Sequence, residues 1–293
     1  MRIIALMNQK GGVGKTTTTV NLGAALAEAG RNTCLIDLDP QSHLTINCGA
    51  DPSSGDNSLY DVLLEDKPLD AAMRRLNERL WLVPASIDLA GAEVELVRVT
   101  ARQTLLKRRI EAAARMGLDF ILLDCPPSLG LLTLNALAAA DEVIIPMQPH
   151  FLALQGVGKL LETVSMVSRQ INPALRVSGI VLTMFDSQTK LSSEVVKDLR
   201  GFLAAAADRR LPWSGAVIFQ TRIRRNVKLA ESPGFGQNIL QYDPGSHGAA
   251  DYRGLAGEVM AMASAASSPT LSLSSAVTTA AARIASAVSD AVA

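Results

Sequence analysis

Aromatic side chains make up only 4% of this 293-residue sequence, and cysteine occurs three times. Cys34, Cys48 and Cys125 form no C-x-x-C pair and leave one thiol unmatched, which argues against a disulfide framework and for a reducing cytosol. A charge excess is missing too: 28 Lys and Arg balance 28 Asp and Glu. Binding to nucleic acid would therefore need a local patch rather than a global field. No uncharged apolar run approaches the ~18 residues of a membrane span. A signal peptide is not expected, because Arg2 leads at once into an apolar strand and a glycine-rich loop. His43, His150 and His247 are expected on three separate loops, without the spacing of a metal site.

Apolar residues are plentiful, at 48% of the chain. They recur in short runs with helical stretches between, the pattern of a parallel sheet covered on both faces. Strands are expected at 2–7, 33–38, 80–83, 119–124, 142–147, 177–184 and 214–219. Helices are expected at 15–29, 58–65, 91–116, 130–139, 154–170, 192–206 and 248–263. The fold class is thus α/β, a doubly wound, mostly parallel sheet with its ligand site at the carboxyl ends of the strands. One domain spans 1–263. The Ala/Ser-rich tail, 264–293, reads as a linker through 275 followed by a possible short helix at 276–292.

The chemistry is concentrated near the start. Residues 8–17 are Asn-Gln-Lys-Gly-Gly-Val-Gly-Lys-Thr-Thr, directly after the strand Ile3-Ile4-Ala5-Leu6-Met7. A strand, a glycine-rich turn and a helix opening on Gly-Lys-Thr make a phosphate cradle: backbone amides turn inward, and the helix aims its positive end at the same anion. Gln9, Lys10, Gly11, Gly12, Val13, Gly14, Lys15, Thr16 and Thr17 are the expected nucleotide contacts. Lys15 would reach the terminal phosphates and the Thr16 hydroxyl would hold Mg²⁺. The strict pattern wants glycine where this chain has Gln9, so the loop is a deviant P-loop with a second cation, Lys10. Its own phosphates have little need of Lys10, which could serve a nucleotide in a second subunit.

Two carboxylates complete the site. Asp124 ends the run Phe120-Ile121-Leu122-Leu123 and is the expected Mg²⁺-linked partner of Thr16. Asp37 and Asp39 end the second strand; Asp39 opens a proline-containing loop and could position the attacking water, and it joins Thr16 and Asp124 in the expected metal set, whereas Asp37 reads as structural. Cys125 reads as a small buried hydrophobe rather than a nucleophile.

With these residues assembled, the chain resembles the ParA/Soj family of partitioning ATPases, within the larger group that includes MinD. The matching segments are KGGVGKTT at 10–17, LIDLDPQ at 35–41, VPASIDLAGAEVEL at 83–96, LLDCPPSLGLLTLNAL at 122–137 and RNVKLAESPGFGQNILQYDPGSHGA at 225–249. The resemblance implies an ATP-dependent homodimer using ATP/ADP and Mg²⁺. Lys10 matches the lysine that contacts the opposite subunit's nucleotide, Asp39 the residue required for hydrolysis, Asp124 the Mg²⁺-linked aspartate and Asn226 the position that hydrogen-bonds adenine. It further implies non-specific binding to double-stranded DNA, a ParB-like centromere-binding protein that stimulates hydrolysis, and a cytoplasmic, nucleoid-associated location. With no N-terminal extension, an operator-binding helix-turn-helix domain is not expected. Arg224 stands where the family usually has proline, Ser42 and His43 replace a Gly-Asn pair, and Gln188 replaces a basic residue, with Lys190 nearby.

Arg222, Arg224, Arg225 and Lys228, with no acid between Gln220 and Ala230, form the local patch that could bind phosphates, with Lys190 a possible contributor. A membrane-cycling, MinD-like role would need a basic apolar helix in the tail, which offers one arginine and no Trp, Phe or Leu after Leu273, so stable membrane association is not expected. A redox or amide-ligase-like enzyme on the same fold is the third class. An iron–sulfur cluster between subunits would need paired cysteines that are not evident.

Overall fold

The computed structural model describes residues 1–150, 153–187 and 190–262. Its strands are β1 (Arg2–Leu6), β2 (Thr33–Asp37), β3 (Arg74–Arg75), β4 (Leu80–Val83), β5 (Phe120–Asp124), β6 (Glu142–Met147), β7 (Arg176–Leu182) and β8 (Val217–Ile218). They form one sheet in the order β3-β4-β2-β5-β1-β6-β7-β8, parallel except for the β3–β4 pair. The helices are α1 (Lys15–Glu28), α2 (His43–Asn47), α3 (Leu59–Leu64), α4 (Leu69–Ala72), α5 (Leu89–Leu96), α6 (Leu105–Ala112), α7 (Leu131–Ala139), α8 (Ala153–Gln170), α9 (Lys190–Ala204), α10 (Val227–Glu231), α11 (Ile239–Tyr242) and α12 (His247–Ala261). The chain reverses its winding beside β1, which lies between β5 and β6, so the crevice of a doubly wound sheet opens at the carboxyl end of β1.

Burial on both faces explains why the central strands read as continuous apolar runs. Ile3, Ala5 and Met7 face one core, shared with Ile121 and Leu123 of β5 and with helices α3 through α8. Ile4 and Leu6 face the other, shared with Leu122, with Leu22 and Leu26 of α1, and with Tyr252 and Leu255 of α12. Gly23 lets α1 lie close on the sheet, since a Cβ there would overlap the Leu35 side chain.

The amino end of the sheet is closed by charge. Arg2 donates from Nε to Glu142 Oε1 (2.7 Å) and from Nη2 to Oε2 (3.0 Å), and also bonds the Val259 carbonyl. Arg176 lies 3.1 Å from the same carboxylate, and the Ser178 hydroxyl donates to it. Burial pushes the Glu142 pKa up, but the Arg2 and Ser178 bonds and the two guanidinium charges outweigh it and leave the value lowered.

Three expectations need correction. The helix expected at 91–116 is broken into α5, α6 and a 3₁₀ turn at Ala114–Met116. Buried Asn135 of α7 holds the break open, donating to the Arg102 carbonyl (2.7 Å) and accepting from the Leu106 amide (3.2 Å). The strand expected at 214–219 is only two residues long. His43 and His247 are not loop residues but begin α2 and α12; His150 alone lies on a loop. The proposed tail, 264–293, and Gln188 lie outside the described residues. Among the described residues no helix is long and apolar enough to cross a membrane.

Candidate active site

Parallel register brings the predicted carboxylates together. Leu6 of β1 pairs with Asp124 of β5, and Asp124 pairs in turn with Asp37 of β2, so three strand ends are level. The loop after β1 then turns over this edge. Gly12 and Gly14 adopt φ of 71° and 81°, the left-handed region that glycine enters without steric cost, and Gly14 caps α1. Asn8 ties the loop to β6 by donating to the Pro146 carbonyl (2.8 Å) while accepting from the Lys10 amide (3.0 Å). Thr183, after β7, donates to the Val13 carbonyl (2.8 Å). Asn8 and Thr183 were not legible as site residues, because their partners are distant backbone carbonyls.

Inside this frame the groups are buried and interlocked. Thr16 Oγ1 donates to Asp124 Oδ2 at 2.7 Å, and Thr19 Oγ1 donates to Oδ1 at 3.0 Å. Burial raises the Asp124 pKa to about 6, with Asp39's charge adding to the rise; the two threonine bonds and Lys15 oppose it. Thr19 was missed by the sequence reading, although it lies one helical turn after Lys15 on the face that meets Asp124. Asp37 is fully buried: Oδ2 accepts from the amide and hydroxyl of Thr45 (2.9 and 2.7 Å), and Oδ1 from the Asp39 amide (3.1 Å). Burial, with Asp124's charge behind it, raises its pKa to about 8. Asp37 therefore anchors the loop that carries Asp39, whose own Oδ1 accepts from the Gln41 amide (2.9 Å). That loop ends at Ser42, held at φ 54°, which explains why glycine suits the position.

The two lysines of the loop part company. Lys15 is buried and its Nζ lies 3.4 Å from the Lys10 carbonyl. Lys10 is exposed, and its Nζ lies 2.5 Å from Nε2 of His150.

A phosphate group and its metal suit these residues. Among the described residues nothing accepts a hydrogen bond from the amides of Gly12 through Thr17, and the Gln9 Nε2 amide is buried without a partner. Amide donors, one interior lysine and a hydroxyl–carboxylate pair are the donor set of a nucleotide with Mg²⁺, which keeps much of its water. No group of three or more His, Cys, Asp or Glu that could hold a metal occurs among the described residues.

At the carboxyl ends of β6, β7 and β8 a cavity of about 990 Å³ is lined by His150, Phe185, Asp186, Arg222, Arg224 and Arg225, among others. The basic segment is less free than its sequence suggests. Arg224 pairs with Asp251 of α12 (Nη2–Oδ1 2.6 Å), and its backbone amide donates to Asp251 Oδ2 (3.0 Å), a bond the family's proline could not make. Lys228 pairs with Glu231 (2.9 Å), and Arg222 lies over the Phe185 ring, 4.3 Å from its centroid. Arg225 is exposed with no such partner among the described residues. Asn226 caps α10, accepting from the Lys228 amide (2.8 Å). Lys190 begins α9. Cys34 and Cys125 are buried and Cys48 half-buried; burial pushes the first and last thiols well up, against any nucleophilic role.

The fold and this loop define an α/β P-loop protein. A family model described as an AAA domain matches residues 1–177. The sporulation initiation inhibitor protein Soj of Bacillus subtilis is 44% identical over 89% of this chain and 98% of its own. The chromosome-partitioning ATPase Soj of Thermus thermophilus is 46% identical over 89% and 96%. A solved structure of cobyrinic acid a,c-diamide synthase from Mycobacterium smegmatis, with bound ADP and magnesium, is 40% identical with a TM-score of 0.73, covering 89% of this chain and 94% of that one. The chain belongs to the ParA/Soj family of chromosome-partitioning ATPases.

Proposed function

We propose that the chain is a Mg²⁺-dependent ATPase that dimerises on ATP, binds duplex DNA without sequence preference and hydrolyses ATP when a ParB-like partner stimulates it. The observation that carries this reading is the separation of the two loop lysines. Lys15 is buried against the loop, where it can neutralise the phosphates of its own subunit, whereas Lys10 is exposed and lies against His150, turned away from its own phosphate loop and within reach of a second molecule. Two triphosphates facing each other would repel, and a lysine from each side would offset that repulsion.

Thr16 and Asp124 would hold Mg²⁺, with Asp39 beside them; the ion supplies charge neutralisation on the phosphates during transfer to water. The chain's own work is positioning. The loop amides orient the phosphates, Asp37 fixes the Asp39 loop, and Asp39 holds a water or its proton. Asn226 is assigned to the adenine, and Gln9, Gly11, Val13 and Thr17 to the phosphate wall. The dimer would present two copies of the basic segment to DNA, where exposed Arg225 is the leading contact. Release would follow hydrolysis, giving a cytoplasmic protein that cycles on and off the nucleoid.

The test is ATP binding, turnover and capture on DNA-coated beads. Lys15→Ala should lose nucleotide binding, whereas Asp39→Ala should bind ATP, dimerise and remain on DNA without turnover. Equal loss of ATP binding in both would remove Asp39 from hydrolysis. A second reading, ATP-dependent amide formation on a small acid, is favoured only by the name carried by the Mycobacterium structure. Turnover that rises with DNA and partner, and not with glutamine and an acceptor acid, separates the two.

A further inference from the structure

Lys10 is not loose in solvent. Its ammonium lies 2.5 Å from Nε2 of His150, on the loop that follows β6. A lysine ammonium has three donors and no acceptor, so this bond needs the imidazole neutral at Nε2. The Lys10 backbone is fixed separately, by the Asn8 side chain at its amide and by Lys15 at its carbonyl, so His150 acts on the side chain alone.

We infer that His150 is a positioning residue for Lys10: it holds the lysine within its own subunit, and its protonation releases the lysine toward a partner. This inference rests on the dimer reading above, because a released Lys10 matters only where a second nucleotide faces it.

The electrostatic setting favours a neutral ring at rest. Burial and the Lys10 charge both lower the His150 pKa from its usual value. The cavity into which His150 opens also carries Arg222, Arg224 and Arg225, and Asp186 is the one carboxylate among its described lining residues. Arg224 is committed to Asp251 and Arg222 to the Phe185 face, while Arg225 is exposed. At slightly alkaline pH the ring is neutral and accepts from Lys10. As pH falls through the lowered pKa, the ring gains a proton, the acceptor is lost, and two like charges would stand in contact. Lys10 then leaves.

Three variants separate the possibilities. His150→Ala removes the acceptor at every pH. His150→Gln keeps a carbonyl acceptor that does not titrate. Lys10→Met removes the donor. The chain has three histidines, so isotope-labelled imidazole resonances can be assigned by substitution and titrated in the whole protein without nucleotide. Lys10→Met should raise the His150 pKa toward its ordinary value of ~6.5. An unchanged His150 titration would overturn the contact itself, whatever the dimer does.

Light scattering with ATP and Mg²⁺ then reads the release. Wild-type protein should need several-fold less ATP for half-maximal dimerisation at pH 5.5 than at pH 8. His150→Ala should match the low-pH wild type at both values, and His150→Gln the high-pH wild type. A pH dependence that survives in both variants would overturn His150 as its origin. A wild type that stays monomeric at every pH would overturn the dimer reading and the release step with it, while the titration still decides the contact.

Discussion

The two ends of β1 present the same kind of chemistry with opposite outcomes. At the amino end, Arg2, Arg176, Ser178 and Glu142 satisfy one another, and every oxygen of the carboxylate has a partner from the protein. At the carboxyl end, Asp124 is just as buried but is met only by hydroxyls, with Lys15 nearby and a ring of amides lacking acceptors. A closed buried network stabilises; an open one binds. The difference appears in the pKa values, since Glu142 is lowered by its cations while burial raises Asp124 to about 6. A third region, 222–228, is intermediate: its cations are at the surface, yet Arg224 and Lys228 are already committed to acids of the same chain.

Breaking the closed end should cost most. Glu142→Ala leaves buried Arg2 without its carboxylate and should destabilise the fold by about 3–5 kcal/mol in denaturant titration. The sign of the pH effect follows from its lowered pKa. Its stabilisation is complete above the ordinary glutamate value and is lost as pH falls through the folded one, so Glu142→Gln should show a shallower acid limb than the wild type. Breaking the open end should spare the fold and remove activity. Asp124→Ala should reduce ATP turnover about 10²–10³-fold, by analogy with the loss of one preorganised charge-stabilising group, with little loss of melting temperature. A large fall in stability there would erase the contrast.

The intermediate region gives smaller effects. Arg225→Ala should flatten the slope of log affinity for DNA against log salt by about 0.9 per subunit, measured by fluorescence anisotropy with ATP. Arg224→Ala and Lys228→Ala should change it less, because each is already paired; equal effects would mean that these pairs open on DNA. The smallest effect concerns the loop beyond Asp39. Ser42 sits at φ 54°, so Ser42→Gly should stabilise by about 1 kcal/mol or less, the relief of left-handed strain minus the added freedom of glycine in the unfolded chain. A destabilised variant would show that the Ser42 side chain does more than tolerate the turn.

Much of this is legible in the sequence alone. The apolar runs located the central strands to within a residue or two, because strands buried on both faces cannot hide their composition. Lys15 and Thr16 stand out because a phosphate loop needs fixed spacing, and Asp124 because it ends an apolar strand; the structure brings the three close together. What escaped notice was held by contacts remote in sequence. Asn135 splits the expected 91–116 helix from 29 and 33 residues away, Thr183 bonds Val13 across 170, and Asp251 takes Arg224 out of the free basic patch. The histidines show the same limit: no spacing rule connects His150 with Lys10.

The sequence by itself determined the class of this protein. Local patterning fixes which segments are strands, and a glycine-lysine-threonine turn has one common use, so family and phosphate chemistry follow from residues within a short span. The tertiary structure alone decided which charges remain available. Lys10 and Lys15 look alike in sequence, yet one is buried beneath the loop and the other rests on His150; four cations in seven positions look like one patch, yet two are spent on acids. Charge is a property of residues, but whether it is neutralised depends on what the fold brings within about 3–4 Å of it, where Coulomb attraction and hydrogen bonding act.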